Sequence, residues 1–212
     1  MNDFRLVRHA CQEYSASLAE QQTAVAAILD KTSPNLLILT EHLPVYTMGR
    51  SGKPGEVLDP ALAGTTIPVL ETDRGGRVTY HGPGQMVAYV LLDLGPRAHE
   101  VRQHVWRLEE CALRTLAALG VRADRDPAGP GVWVGWAKIG ALGVRIRRGV
   151  TAHGLALNRD PDLRHFSGII PCGFVDRPVT SLAALGVTVT REQLEALFIE
   201  AFAEVFSARW IT

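Results

Sequence analysis

The sequence predicts one α+β domain, a mixed β-sheet flanked by helices, running through residues 1–212. Three observations lead there. Apolar runs of strand length alternate with longer stretches of helical period. Glycine and proline mark most of the junctions between them. No internal repeat and no linker separates two composition regimes, and a chain of this length builds one full hydrophobic core.

The first helical stretch is 15–29, where Leu18, Gln22, Val25 and Leu29 recur at spacings of three and four among alanines, with Pro34 beyond its end. Residues 36–40 and 45–48 are apolar runs of strand length. Residues 50–60, rich in Gly and Pro, read as a loop. A strand is expected at 67–71. Residues 73–83 hold three glycines and no strong period, so a loop is expected. Residues 85–94 read as a buried strand. The clearest helix is 99–119, with Val101, Val105, Leu108, Ala112, Leu116 and Leu119 on one side and Gly120 ending it. Three strands follow at 132–134, 138–147 and 150–157, with Gly135 and Gly149 at the connections. The last helix starts after Thr190, which with Gln193 fits a capping box. Leu194, Leu197, Phe198, Ala201, Phe202 and Val205 give it an apolar face.

Composition narrows the function. Lysine and arginine total 22 against 22 acidic residues, a balance that excludes a globally basic nucleic-acid binder. The three cysteines, Cys11, Cys111 and Cys172, form neither a disulfide framework nor a CxxC zinc pattern, and an odd count suits a reducing compartment. No signal-like segment opens the sequence, and no apolar run approaches the roughly 18 residues that span a bilayer. A cytoplasmic protein is expected, with no membrane and no nucleic-acid partner. The histidines form no HxxxH or HExxH pair, so no metal site is expected.

The densest polar feature is Arg74-Gly75-Gly76-Arg77-Val78-Thr79-Tyr80-His81, continuing to Gln85. Paired glycines let a backbone approach a ligand closely, and the side chains between them add polar contacts. In 138–147, strand alternation puts Lys138 on one face with Gly140, Leu142, Val144 and Ile146. Lys138 is therefore a candidate for desolvation, which would favour the neutral amine. The alternative is a lysine that snorkels to solvent at a strand end. Cys172 lies between Pro171 and Gly173, on a constrained turn of the kind that holds a nucleophile still yet reachable. Cys11 and Cys111 read as packing residues. His153 is expected to point with Thr151, Leu155 and Leu157, as an orienting group or a hydrogen-bonded core histidine. Residues 131–159 contain no acid but include Lys138, Arg145, Arg147, Arg148 and Arg159, a local imbalance that would favour an acidic partner.

Taken together, these segments resemble the lipoyl(octanoyl)transferases. RGGRVTYHGPGQ looks like that family's signature loop, KIGALGVRIRRGVTAHGLALN its paired-strand segment, and FSGIIPCG its cysteine turn. EHLPVYTMGRSGKPGEVL and VTSLAALG also look familiar, so the likeness runs in order from 34 to 206. Gly140 stands where the family carries a slightly larger residue, and Ala152 where it is often aromatic or polar. The resemblance implies a fold similar to the catalytic domain of biotin and lipoate protein ligases. It implies Cys172 as acyl-thioester nucleophile, with Lys138 as its partner. It implies an acyl pocket lined by Arg74, Gly75, Gly76, Arg77, Val78, Thr79, Tyr80 and His81, by Ala141, Leu142 and Gly143, and by Gly154, Leu155 and Ala156, with His153 beside them.

The implied activity is octanoyl transfer from octanoyl-acyl carrier protein to a lysine of a lipoyl domain. Such domains belong to 2-oxoacid dehydrogenase complexes and to the glycine cleavage H protein. A thioester donor is already activated, so no cofactor is expected, and the family suggests a monomer. The runner-up is an ATP-dependent lipoate or biotin-type protein ligase of the same fold. A third reading is a non-catalytic binder of acyl groups or their carrier.

Overall fold

The computed structural model describes residues 2–61, 66–95, 99–127, 129–171 and 176–211. Cys172, Gly173 and the two residues after them lie outside this set. In chain order the elements are β1 (Asn2–Gln12), α1 (Tyr14–Leu29), β2 (Asn35–His42), β3 (Val45–Met48), β4 (Val69–Glu71), β5 (Val78–His81) and β6 (Gln85–Leu91). Then come α2 (Val101–Ala118), β7 (Asp124–Asp126), β8 (Gly129–Val134), β9 (Ala137–Arg147), β10 (Val150–Asn158), α3 (Arg191–Phe206) and β11 (Ala208–Trp210).

The main sheet has eight strands in the order β11-β1-β2-β6-β10-β9-β8-β7. Its β11-β1-β2 edge is parallel and the rest antiparallel, which makes the sheet mixed. Alternation along its central strands sends side chains to two cores. Leu37, Leu39, Met86, Ala88, Val90, Leu155 and Leu157 meet Leu108, Ala112 and Leu116 of α2 and Phe198, Phe202 and Phe206 of α3. Leu36, Ile38, Val87, Tyr89, Leu91 and Ala156 face Val25 and Ile28 of α1. Burial on both faces is why β2 and β6 read as continuous apolar runs in the sequence. A three-stranded sheet, β4-β3-β5, stands beside the main one. Its core holds Tyr46, Val78 and Tyr80 against Phe166 and Ile169.

Several expectations change. Residues 73–83 are not all loop: Val78–His81 form β5, which pairs antiparallel with β3. The segment around Cys11 is strand β1, whose mixed polarity hid it. Cys11 is exposed and is not a packing residue, whereas Cys111 is buried in the main core. The buried stripe of α1 is Tyr14, Ser17, Gln21, Val25 and Ile28, so the helix is rotated from the expected face and Gln22 is exposed. The expected face followed apolar spacing alone, but Gln21 turns inward to accept a hydrogen bond from the His153 N–H at 3.0 Å.

The capping box forms as read. Thr190 Oγ1 accepts from the Gln193 N–H at 3.2 Å, and Gln193 Oε1 accepts from the Thr190 N–H at 3.0 Å. Loss of such a cap costs about 1 kcal/mol. Thr190→Ala should lower the unfolding free energy by that amount, seen as a lower urea midpoint at unchanged m-value; an unchanged midpoint would show the cap to be idle.

His104 lies on the buried side of α2, edge-on to Phe206 at 5.8 Å. Neither ring nitrogen has a hydrogen-bond partner among the described residues. Burial holds its pKa down to about 4, with repulsion from Arg107 adding to the effect. In the unfolded chain the imidazole takes up its proton near 6.5, so unfolding binds a proton as pH falls from 6.5 toward 4. Stability supplied by the neutral ring is therefore lost across that window. His104→Leu should gain roughly 2 kcal/mol relative to the native chain between pH 8 and pH 5. Parallel stability curves in the two proteins would contradict this.

Candidate active site

The site is built on a place where backbones touch. Gly143 of β9 pairs directly with Gly154 of β10. A Cβ on Gly143 would lie 2.7 Å from Gly75 O and 3.0 Å from Arg74 Cδ. A Cβ on Gly154 would lie 2.0 Å from Ala88 O on the next strand. Bare backbone at Gly143 lets the 73–77 segment lie flat on β9, and at Gly154 it lets β10 approach β6 closely. The Gly75 N–H then donates to Val144 O at 3.0 Å.

Arg74 fixes this segment from below. Its guanidinium is buried and donates to Thr47 O at 2.6 Å, Thr47 Oγ1 at 2.9 Å and Arg77 O at 2.8 Å. Arg77 pairs with the buried carboxylate of Glu56. From the other side, the Asp73 carboxylate bonds both Arg145 and His153, the latter at 2.7 Å. His153 has φ +61°, a left-handed conformation that turns it out of simple strand alternation. It therefore reaches Asp73 rather than joining Leu155 and Leu157 in the core.

Beneath the glycine segment lies a cavity of about 450 Å³. Lys138 stands on its wall with 6% exposure, so it does not snorkel to solvent. Its Nζ donates to Pro130 O at 3.3 Å and sits 4.7 Å from the Trp133 ring centroid. Its backbone is held as well. The Lys138 N–H donates to Pro178 O, and its C=O accepts from the Thr180 N–H, both at 2.9 Å. Register between β8 and β9 shifts between Val132 and Trp133, a bulge of the kind that re-aims a side chain.

The imidazoles and phenols of the lining are pushed toward their neutral forms. Burial takes His81 down to about 3, with His42 and Arg74 adding repulsion. Burial likewise takes His153 down to about 4, with Arg74 and Arg145 contributing. Burial raises the phenols of Tyr14 and Tyr89. His81 is held by Gln85, whose Nε2 reaches Asn158 Oδ1 at 2.9 Å; Asn158 in turn donates to Thr180 O. The apolar residues and neutral rings that make up most of the lining suit an uncharged alkyl chain.

The structure brings together Arg74, Gly75, Gly76, Arg77, Thr79, His81, Lys138, Ala141, Leu142, Gly143, His153, Gly154, Leu155 and Ala156 around this one cavity. Val78 and Tyr80 are not on it. Strand β5 alternates, so Thr79 and His81 face the cavity while Val78 and Tyr80 fill the small-sheet core. Cys172 lies outside the described residues. Gly140 and Ala152 do not line the cavity either: a Cβ on Gly140 would meet Val132 at 3.2 Å, and Ala152 packs toward α1. Sequence reasoning missed Tyr14, Val87 and Tyr89. It also placed Val101 and Val105 in the core face of α2, where they instead border the cavity. Of the basic stretch, Arg145 pairs with Asp73 and Arg159 with Glu41 and Asp160, so these two serve the fold. Arg147 and Arg148 stay exposed at the β9–β10 turn.

Comparison with known proteins adds chemistry to this geometry. A protein of Magnetococcus marinus named octanoyltransferase is 58% identical over 185 residues, covering 87% of this chain and 85% of that protein. One of Paramagnetospirillum magneticum with the same name is 47% identical over 201 residues, covering 92% and 93%. The solved bipartite lipoate protein ligase from Thermoplasma acidophilum, studied with its E2 lipoyl domain, superposes with a TM-score of 0.76 at 20% identity, over 100% of this chain and 88% of that one. At that identity the superposition speaks for the fold alone. The fold, the cavity and these relatives agree with a match across residues 13–203, and the chain belongs to the lipoyl protein ligase A/B catalytic domain family.

Proposed function

We propose that this chain is an octanoyltransferase that moves an octanoyl group from octanoyl-acyl carrier protein to a lysine of a lipoyl domain, through a thioester on Cys172. The observation that carries the reading is the position of Lys138. It stands on the wall of a largely apolar cavity, and its backbone is bonded to residues 178 and 180, just downstream of the cysteine segment. The upstream side of that segment is anchored too, by the Ile170 N–H donating to Glu56 O at 2.8 Å. The names of the relatives support octanoyl as the group transferred.

In the first half-reaction the Cys172 thiolate attacks the octanoyl carbonyl carbon. A new C–S bond forms, the C–S bond to the carrier breaks, and the carrier sulfur takes the proton that left Cys172. Lys138 holds that proton between the two steps. In the second half the neutral amine of the acceptor lysine attacks the enzyme thioester. The C–N bond forms, the Cys172 C–S bond breaks, and the amine proton passes to Lys138 or to the departing thiolate. Leu142, Leu155 and the small residues beside them receive the alkyl chain, whose burial contributes roughly 0.8 kcal/mol per methylene. Arg74 acts here by shaping the glycine segment, since its donors point into Thr47, Gly75 and Arg77. The acceptors are the lipoyl domains of 2-oxoacid dehydrogenase complexes and of the glycine cleavage H protein. The enzyme works as a cytoplasmic monomer, without a cofactor; no helix among the described residues is long and apolar enough to cross a membrane.

Intact mass spectrometry after exposure to octanoyl-carrier, without ATP, is expected to show one hydroxylamine-labile octanoyl adduct on Cys172, absent from Cys172→Ser. An adduct on Cys11 or Cys111, or ATP-dependent acylation of a lipoyl domain by Cys172→Ala, would reverse the assignment. Gly143→Ala tests the pocket. The added Cβ must push the glycine segment away from the sheet, and kcat/KM for octanoyl-carrier should fall by about tenfold, or about 1.4 kcal/mol. A value equal to the unmodified enzyme's would remove the segment from the acyl site.

A further inference from the structure

Glu109 is a carboxylate on the buried side of α2, between Leu108 and the packed residues Cys111 and Ala112. Burying a charge there is costly unless its partners are well placed. Both oxygens are taken. Oε2 accepts from Arg125 Nε at 3.1 Å, and Oε1 accepts from the Gly131 backbone N–H at 3.0 Å. The second bond leads to the reacting region. Pairing of β8 with β9 runs from Val134 only as far as Val132, and beyond it the Gly131 N–H goes to Glu109. The next carbonyl upstream, Pro130 O, is the one that receives Lys138 Nζ. Gly131 is also where the lysine passes: a Cβ there would lie 2.9 Å from Lys138 Cε and 3.1 Å from Nζ.

We propose that Glu109 is a positioning residue for the transfer reaction, acting on Lys138 through the 129–131 backbone. Its carboxylate pins Gly131 to α2. That fixes the direction of the Pro130 carbonyl and keeps open the gap through which the lysine side chain runs. The Trp133 ring supplies the opposite wall. Arg125 holds the carboxylate in turn, with its guanidinium 4.6 Å from the Trp106 ring and a second bond to Glu110 at 2.8 Å. A catalytic amine displaced by as little as an ångström loses much of its effect, so a residue with no contact to substrate can govern the rate. The assignment rests on the acyl-transfer reading above, in which Lys138 holds the proton.

The test is a kinetic double-mutant cycle on the full chain, with octanoyl-carrier and a lipoyl domain as substrates and thermal melting run beside it. Glu109→Ala is expected to lower kcat by roughly tenfold to a hundredfold with KM for octanoyl-carrier unchanged. Glu109→Gln, whose amide oxygen still accepts from the Gly131 N–H, should recover most of that loss. On a Lys138→Ala background Glu109→Ala should change the residual rate by less than about twofold, because the group it positions is gone. Gly131→Ala leaves Glu109 intact and crowds the lysine, so it should lower kcat in the same non-additive way; it carries the test if Glu109→Ala does not fold. Multiplicative losses in both cycles, or a loss appearing in KM alone, would overturn the positioning role and leave the transferase reading standing. An unmodified chain that transfers no octanoyl group would overturn both.

Discussion

The site depends on one steric fact, the missing side chain at Gly143, whose strand partner Gly154 is bare as well. These residues occupy neighbouring central strands, where a sheet is normally covered on both faces. Here the polypeptide itself provides the cover. The 73–77 segment comes down onto bare backbone and hydrogen-bonds to it through the Gly75 N–H. Arg74 and Asp73, at the entry of that segment, are then within reach of β3 and β10 respectively, and each closes its own set of polar bonds. The cavity is the space left between this cover and the sheet. Its shape follows from backbone geometry, which a side-chain rotamer change cannot easily alter.

Much of this was legible in the sequence, and the rest was hidden for identifiable reasons. Long periodic segments and capping chemistry gave α2 and α3, because burial on one stripe imposes spacing and Thr190 with Gln193 imposes the start. The central strands were legible because two-sided burial makes them apolar throughout. Strand β1 was not, since it lies near the sheet edge with only Phe4 buried and carries Asp3, Arg5, Arg8 and His9. Strand β5 was hidden by the glycines on either side of it. Missing that strand also lumped Val78 and Tyr80 with their neighbours as one binding loop, although period-2 alternation divides them between a core and a cavity. The cavity residues of α1 and β6 carried no local signal. Tyr14, Val87 and Tyr89 become a wall only when elements distant in sequence meet.

Electrostatics in the interior follow a consistent pattern. Imidazoles and phenols around the cavity are buried and held neutral, while the charges that remain are each given partners on the backbone or an opposite charge. Arg74 spends its donors on carbonyls and a threonine, and Glu109 is shared between a backbone amide and Arg125. Lys138 fits this economy. A carbonyl and an aromatic face flank its amine, so the one mobile proton of the proposed reaction sits in a fixed place.

The parallel pairing of β1 with β11 has a consequence for how the molecule is made. Asp3 and Arg209, 206 residues apart, are joined across that pairing, and Phe4 meets Trp210 edge-on at 6.4 Å. A ribosome-bound chain has synthesised β2, β6 and β10 long before residue 208 emerges. During that interval one side of β1 has no strand beside it and offers unsatisfied amides to any passing strand. Three residues, Ala208–Trp210, cover the Asn2–Phe4 stretch of that side, and they follow every other described strand of the sheet in the chain. This edge of the sheet is thus completed by a three-residue strand that follows all the other described ones, and until it is in place the start of β1 is open to mispairing.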